Sequence, residues 1–476
     1  MKHVLLLILA ATTLSAQDKA TKIDEFLSRY HTNGQFNGTV LVSEGGKVIY
    51  KKGFGLANME WEIPNTPDTK FRLGSITKQF TAAVILQLVN EGKIGLNDKL
   101  SQYIPDYPKK TADRVTIHQL LNHTSGIPSY TGLPNFMRDK VRDAYTPLDL
   151  VKVFWEMDLE FEPGSRFRYN NSGYHLLGVI IEKVTGKTYA EALRERIFDP
   201  LKMSASGYDL NQPLLLKRAG AYERTLDGYQ NAGFLDMTIP YAAGSLYSTV
   251  EDLYTWDQAL YTDKVLPAKS KDLMFTPALD NYAYGWVVRK SDVLGEDRKI
   301  TVIGHGGGIH GFNTLIERIP SDKHLIVLLN NTGGTRLNEI SHGITKVLYG
   351  LAAPMPKIPA STAMYKIIQT KDVKTAIAEC RSWKTNASNE YDVNPGELGM
   401  VTDYLTSKKR LDEAEEIAKL NVELHPKVAP VHYRLGEVYR AAKKRELAIQ
   451  SYARALELSP GNPGPIGDRL KEMLVK

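Results

Sequence analysis

Leu73-Gly74-Ser75-Ile76-Thr77-Lys78-Gln79-Phe80-Thr81-Ala82-Ala83-Val84-Ile85-Leu86-Gln87-Leu88-Val89-Asn90 is the stretch from which the rest of this chain is read. It predicts a helix from Ser75 to Asn90, stopped by Gly92. After its first turn the helix is apolar nearly all round, which places it at the centre of a core rather than on a surface. Positions i and i+3 share a helix face, so Lys78 stands one turn beyond Ser75 and within reach of its hydroxyl. A serine hydroxyl is a poor nucleophile near neutral pH and needs a nearby base. At the head of a helix it also sits beside free backbone N–H groups and the positive end of the dipole. S-x-x-K alone is a weak signal, expected about once or twice by chance in a chain of this length. The apolar helix that follows is what draws Lys78 inward, and burial lowers a lysine pKa enough for proton exchange near neutrality.

Outward from this helix, Thr39 to Val42, a Glu44-Gly45-Gly46 turn and Lys47 to Tyr50 read as a hairpin. Residues 100 to 245 change to Pro-, Tyr- and Asn-rich loops with helical segments at Tyr174 to Val184 and Tyr189 to Ile197, a mostly helical insert. Strand signals return at Ala283 to Val288, Lys299 to Ile303, Asn313 to Ile319 and His324 to Leu329. Strands at both ends of a helical middle imply an α/β fold, with one sheet assembled from distant parts of the chain and helices packed on it.

Two more stretches carry candidate chemistry. Phe161 to Tyr174 contains Tyr169-Asn170-Asn171, which offers a phenol and an amide from one loop; taken alone, a structural tyrosine and a turn asparagine are the commoner meaning. Gly304-His305-Gly306-Gly307-Gly308 ends a strand, and its glycines let a ligand approach the backbone and receive an N–H; a plain glycine-rich turn is the alternative. The G-x-G-x-x-G spelled by Gly306, Gly308 and Gly311 is followed by another strand, not by the helix N-terminus a phosphate needs. Gly186-Lys187-Thr188 lacks the first glycine of a P-loop, since position 181 is Ile. There is no H-E-x-x-H and no G-x-S-x-G. No metal ligand set and no cofactor is assigned.

Taken in chain order, S-x-x-K at Ser75 and Lys78, Y-x-N at Tyr169 and Asn171, and H-x-G at His305 and Gly307 resemble the signature of the class C β-lactamase and penicillin-binding serine hydrolases. That family includes β-lactamases, D-Ala-D-Ala carboxypeptidases, D-amino-acid peptidases and some esterases. Leu120 to Pro128, Ala243 to Thr249 and Tyr284-Gly285-Trp286 are similar to further family phrases, read here as structural loops and sheet contacts. The similarity spans about residues 25 to 350.

The resemblance implies a β-lactamase/transpeptidase-like fold, an antiparallel sheet flanked by helices. It implies that Ser75 attacks a carbonyl, with its own N–H and that of Gly308 as the oxyanion hole and Gly307 in the same substrate-facing stretch. Lys78 would hold the charge arrangement, and Tyr169 would act as base and then as acid to the leaving group. Which of the two takes the serine proton is open, because coupled groups share their titration. Asn171 would bond either the substrate's amide or Lys78. His305 stands where many β-lactamases of this family have lysine. A lysine (~10.4) keeps its charge, whereas a histidine (~6.5) is mostly neutral, so an anionic β-lactam should be held more weakly. An esterase or D-peptidase with weak or absent β-lactamase activity is expected. A penicillin-binding or sensor protein that acylates with little turnover is the other reading.

The 476 residues suit two or three domains, with 42% hydrophobic and 24% charged residues giving an ordinary folded composition. Lys2, the apolar run Val4 to Ala11 and Leu14-Ser15-Ala16 form a signal-peptide pattern for residues 1–16, and the run is short of the ~20 residues of a spanning helix. The expected mature chain begins at Gln17, without a transmembrane segment, and is periplasmic or secreted. Cys380 is the single cysteine, so no internal disulfide forms. Net charge +6, or +5 without Lys2, argues against nucleic acid as a partner; a small-molecule or peptide substrate is expected.

The hydrolase domain is read as 17–353. Pro354, Pro356 and Pro359 then open a linker and a helical tail over 354–476. Ala414 and Ala448 lie 34 apart, as do Pro426 and Pro460, the period of a tetratricopeptide repeat. Two copies cannot bury a continuous core, and Asp372 to Trp383 offers a degenerate third. Such a tail could dock a protein partner or serve structure alone. Lys408 to Arg410 and Lys443 to Arg445 read as solvated helix ends.

Overall fold

The computed structural model describes residues 2–459 and 464–475, with side chains from 17 to 459 and 467 to 473. Contacts divide these into two units, 1–224 with 229–354, and 225–228 with 355–476.

The first unit is built on a six-stranded antiparallel sheet of β1 (Gly38–Glu44), β2 (Lys47–Phe54), β3 (Val287–Ser291), β4 (Ile300–Ile309), β5 (Phe312–Ile319) and β6 (His324–Asn330), in the order β3-β4-β5-β6-β1-β2. The N-terminal hairpin joins the C-terminal strands through β1 and β6, with Val40 opposite Leu328 and Val42 opposite Ile326. Strand residues alternate between faces. Val40, Val42, Ile326 and Leu328 therefore pack with Phe26 and Leu27 of α1 (Lys2–Thr32) and Ile340 and Ile344 of α4 (Leu337–Leu348). Leu41, Leu325, Val327 and Leu329 face the larger core around α2 (Thr77–Asn90). Covering on both faces is why β6 reads as an unbroken apolar run. The α1 helix continues through Ala16; the side chains of the expected leader lie outside the described residues.

Residues 100–245 carry short helices, the long α3 (Asn171–Thr185) and small strands such as Tyr222–Thr225 and Gly228–Asn231. The expected helix from Tyr189 to Ile197 is α-helical only to Leu193 and widens into a π turn over Arg194–Phe198. The strand expected from Ala283 begins only at Val287. Gly285 has φ +76, and a Cβ there would stand 2.7 Å from the Lys78 carbonyl oxygen, so 283–286 turns to pack on the start of α2 and buries Trp286.

The second unit holds three pairs of consecutive helices, α5 (Ala360–Thr370) with α6 (Val373–Asn386), α7 (Pro395–Ser407) with α8 (Leu411–Leu424), and α9 (Ala429–Ala441) with α10 (Arg445–Glu457), followed by α11 (Gly464–Val475). Starts of α7 and α9 (395, 429) and of α8 and α10 (411, 445) are each 34 residues apart. Lys409 and Lys443, also 34 apart, close their helices in the left-handed region, at φ +61 and +60. Ala414 and Ala448 are fully buried; Pro460 lies outside the described residues. A Cβ on Gly436 would meet the Tyr452 ring at 2.6 Å, so that glycine lets α9 and α10 approach. The unit's own apolar core runs through all three pairs, from Met364 and Cys380 to Leu398, Ile417, Val438 and Tyr452.

Candidate active site

Ser75 lies in a 3₁₀ turn, Gly74–Ile76, that feeds directly into α2. Gly74 has φ +56, and a Cβ there would stand 2.9 Å from the Gly308 nitrogen, so only glycine lets the turn lie against β4. The Leu73 carbonyl accepts from Thr314 Oγ1 at 2.7 Å, and Leu73 N donates to the Leu246 carbonyl at 2.7 Å. The turn is thus held from both sides.

Lys78 is 0% exposed. Its Nζ lies 3.1 Å from Ser75 Oγ, 2.9 Å from Asn171 Oδ1 and 2.8 Å from the Ala243 carbonyl oxygen. Burial holds its pKa well below the ordinary lysine value. Asn171, expected in a loop, is the first residue of α3, and its Nδ2 donates to Thr131 Oγ1 at 2.9 Å. Of its two expected partners, it is Lys78 that the amide oxygen meets.

Tyr169 closes the triangle. Lys78 Nζ lies 4.8 Å from its ring centroid. Although 37% of the residue is exposed, burial around the hydroxyl raises its pKa, and a hydrogen bond from Ser75 pulls the other way. The phenol is therefore protonated at neutral pH.

His305 departs from the expected substrate-binding role. Its Nδ1 lies 2.6 Å from the Gly306 carbonyl, which can only accept, so Nδ1 carries the proton; Nε2 then accepts from the Tyr282 hydroxyl at 3.0 Å. Both ring nitrogens are occupied. Burial first, and then the neighbouring Lys78, lower its pKa to about 4, the Gly306 bond opposing. The ring is neutral and offers no donor to a substrate carboxylate. Gly307 differs too: a Cβ there would collide with the Leu73 carbonyl, so this glycine serves the packing of β4 on the serine turn.

Gly308, expected in the oxyanion hole, lies against the serine turn. β3 pairs with β4 only from Ile300 to Gly304, leaving 305–309 unpaired by β3. Gly308 sits opposite Asn313, one step from the two-residue turn closed by Ile309 and Phe312. Alternation along an antiparallel pair points its N–H away from β5, toward the serine turn. A cavity of about 120 Å³ opens beside Ser75, Asn171 and Gly308, walled by Tyr130, Met137 and Leu235.

The reading of Ala243 to Thr249 as a structural loop missed the Ala243 carbonyl, because a backbone acceptor leaves no side-chain signal. The roles of Gly74 and Thr131 went unread as well, since neither carries a local signal of what it packs against. Among the described residues no three of His, Cys, Asp and Glu gather to hold a metal ion.

A serine hydroxyl, a buried amine 3.1 Å from it and a protonated phenol whose ring lies against that amine, on a sheet flanked by helices, place the chain among the serine hydrolases of the β-lactamase/transpeptidase fold. The Beta-lactamase family matches residues 22–346, and the chain belongs to that family. A penicillin-binding protein of Bacillus subtilis is 31% identical over 435 residues, covering 86% of this chain and 90% of that protein. The teichoic acid D-alanine hydrolase of Staphylococcus aureus is 31% identical over 342 residues, 70% of this chain and 79% of its own. Among solved structures, the D-amino acid amidase of Ochrobactrum anthropi SV3 superposes with a TM-score of 0.61 at 26% identity, covering 70% of this chain and 99% of the amidase. The chain is a serine hydrolase that acts on esters or amides through an acyl-enzyme.

Proposed function

We propose that this enzyme is an exported hydrolase of D-aminoacyl esters or amides that lack a free carboxylate, on the class C side of its family, with Ser75 as nucleophile, Lys78 as base and Tyr169 as acid. The observation that carries the assignment is the set of three partners around Lys78 Nζ. Two of them, Asn171 Oδ1 and the Ala243 carbonyl oxygen, can only accept. A neutral amine has two N–H groups and one lone pair. The two carbonyl oxygens take the N–H groups, which leaves the lone pair to take the Ser75 proton during attack.

Ser75 Oγ attacks the carbonyl carbon while its proton passes to Lys78 Nζ, and the oxyanion is received by the N–H groups of Ser75 and Gly308. The carbonyl then re-forms, the bond to the leaving group breaks, and Tyr169 protonates the departing oxygen or nitrogen and is reprotonated through Lys78. Water attacks the acyl-enzyme by the same route, releasing the acid and restoring Ser75.

The choice of a substrate without a carboxylate rests on His305, whose nitrogens are both occupied, and on the mainly apolar walls of the cavity. The relatives named for D-alanine hydrolysis and D-amino acid amides support the acyl group. A screen of p-nitrophenyl esters, D-alanine amides, D-Ala-D-Ala peptides and nitrocefin tests it. Turnover of the first two is expected; nitrocefin turnover matching a dedicated resistance enzyme overturns it.

Export is supported by Lys2, the apolar run and Leu14-Ser15-Ala16. A tetratricopeptide-like tail is supported by the 34-residue spacing of helix starts. Ending the chain at Ala353 distinguishes its uses: a soluble, active remainder favours a docking role for a protein partner, and an aggregating one a structural role.

A further inference from the structure

His123 belongs to the phrase Leu120 to Pro128 that the sequence presents as a structural loop, yet it is placed as no loop residue needs to be. It is 1% exposed and adopts φ +61, a region that favours glycine and tolerates asparagine. Around it, the loop is joined to the segment that carries Tyr169. Glu160 N donates to the Gly126 carbonyl at 2.8 Å, Gly164 N to the Thr124 carbonyl at 2.8 Å, and Arg168 N to the His123 carbonyl at 2.9 Å. Asn170 N donates to His123 Nδ1 at 3.2 Å. The amides immediately before and after Tyr169 are therefore both received by this one residue.

The ring does as much as the backbone. Its centroid lies 4.4 Å from that of Tyr169 and 4.4 Å from that of Tyr282, with the rings tilted at 49° and 52°, so the imidazole packs against both the phenol beside Ser75 and the phenol that holds His305. Because Nδ1 accepts an amide, Nε2 carries the proton in this neutral ring, and Nε2 is buried with no hydrogen-bond partner among the described residues. A buried donor left unpaired calls for a reason beyond stability. Tyr169 supplies one: with more than a third of its surface open, its own packing does not fix the phenol over the serine.

We infer that His123 is a positioning residue for Tyr169, setting through the Asn170 amide and the ring packed against the phenol the place at which the phenol meets Ser75 and Lys78. This rests on Tyr169 being the proton donor. Two substitutions separate its parts. His123→Phe keeps a ring and removes the acceptor; His123→Asn puts an oxygen where Nδ1 stands, suits the left-handed backbone and removes the ring.

Each is made alone and with Tyr169→Phe, with active sites counted by a fluorophosphonate label. His123→Phe is expected to lower kcat about 30-fold with KM within about twofold, as loss of a catalytic placement does. His123→Asn is expected to recover most of that loss. In the Tyr169→Phe background either substitution should cost less than about twofold more, since both then remove one interaction. Parent-like kcat in both variants overturns the inference, and so does a full multiplicative loss on top of Tyr169→Phe. If His123→Phe does not fold, His123→Gly, which suits the left-handed backbone and removes both acceptor and ring, takes its place in the same comparison with the same expected loss. Should Tyr169→Phe alone keep parent kcat, it is the assignment of Tyr169 that has failed, and the two failures are told apart.

Discussion

The two halves of the site are held by different means. Ser75 and Lys78 stand at the head of α2, where every residue from Thr77 to Leu86 is buried. Tyr169 stands on a loop, held by amide hydrogen bonds to a second loop and by tilted ring packing. The proposed nucleophile and base, which must keep one short distance, are anchored by core packing, which is dense and resists displacement. The acid must admit a substrate and leaving group beneath it, and a partly open loop position allows that.

This contrast can be broken or sharpened in four ways. Ser75→Ala should abolish labelling by a fluorophosphonate or penicillin probe and lower kcat by about 10⁴-fold or more, since no other hydroxyl takes its place. Measurable acyl-enzyme in that variant would break the helix half outright. Tyr169→Phe should lower kcat about a hundredfold, the usual range for a lost general acid, and act less on esters with good leaving groups than on amides. Equal losses on both substrates would remove the acid from the loop half.

The third concerns proton state. In the proposed mechanism Lys78 acts as the neutral amine, and its pKa is lowered by burial, so kcat/KM should climb as pH rises through that lowered value and reach its plateau well below pH 10.5. His305, lowered to about 4, stays neutral across that climb and adds no limb to it. A rate that falls over pH 6 to 9 contradicts Lys78 as base. The smallest effect is expected from Thr131→Val, which removes the partner of Asn171 Nδ2 and should cost a few-fold in kcat, about 1 kcal/mol, with no change in thermal midpoint beyond a few degrees.

Much of this was legible in the chain. The apolar run after Ser75 predicted a buried helix, and it is one; the hairpin and the last three strands of the sheet were found because alternation and β-branched runs are local signals. The spacing of Ser75 and Lys78 needs only one helical turn, so their meeting was readable as well. The turn at 283–286 was not, since Tyr284 and Trp286 have strand propensity and only the close approach to α2 bends them away.

Residue types and short-range order were thus determined by the sequence alone: a serine and a lysine one turn apart, a phenol and an amide in a second segment, a histidine among glycines in a third. Tertiary structure decided what each of them faces. It gave Lys78 two carbonyl oxygens as partners, turned His305 inward against Tyr282 and the Gly306 carbonyl, and set His123 behind Tyr169. The reason is physical: whether a nitrogen donates, accepts or is neutral depends on burial and on partners brought from 23 to 165 residues away, as the Tyr282–His305 and Lys78–Ala243 contacts show. Local periodicity carries no record of such pairings.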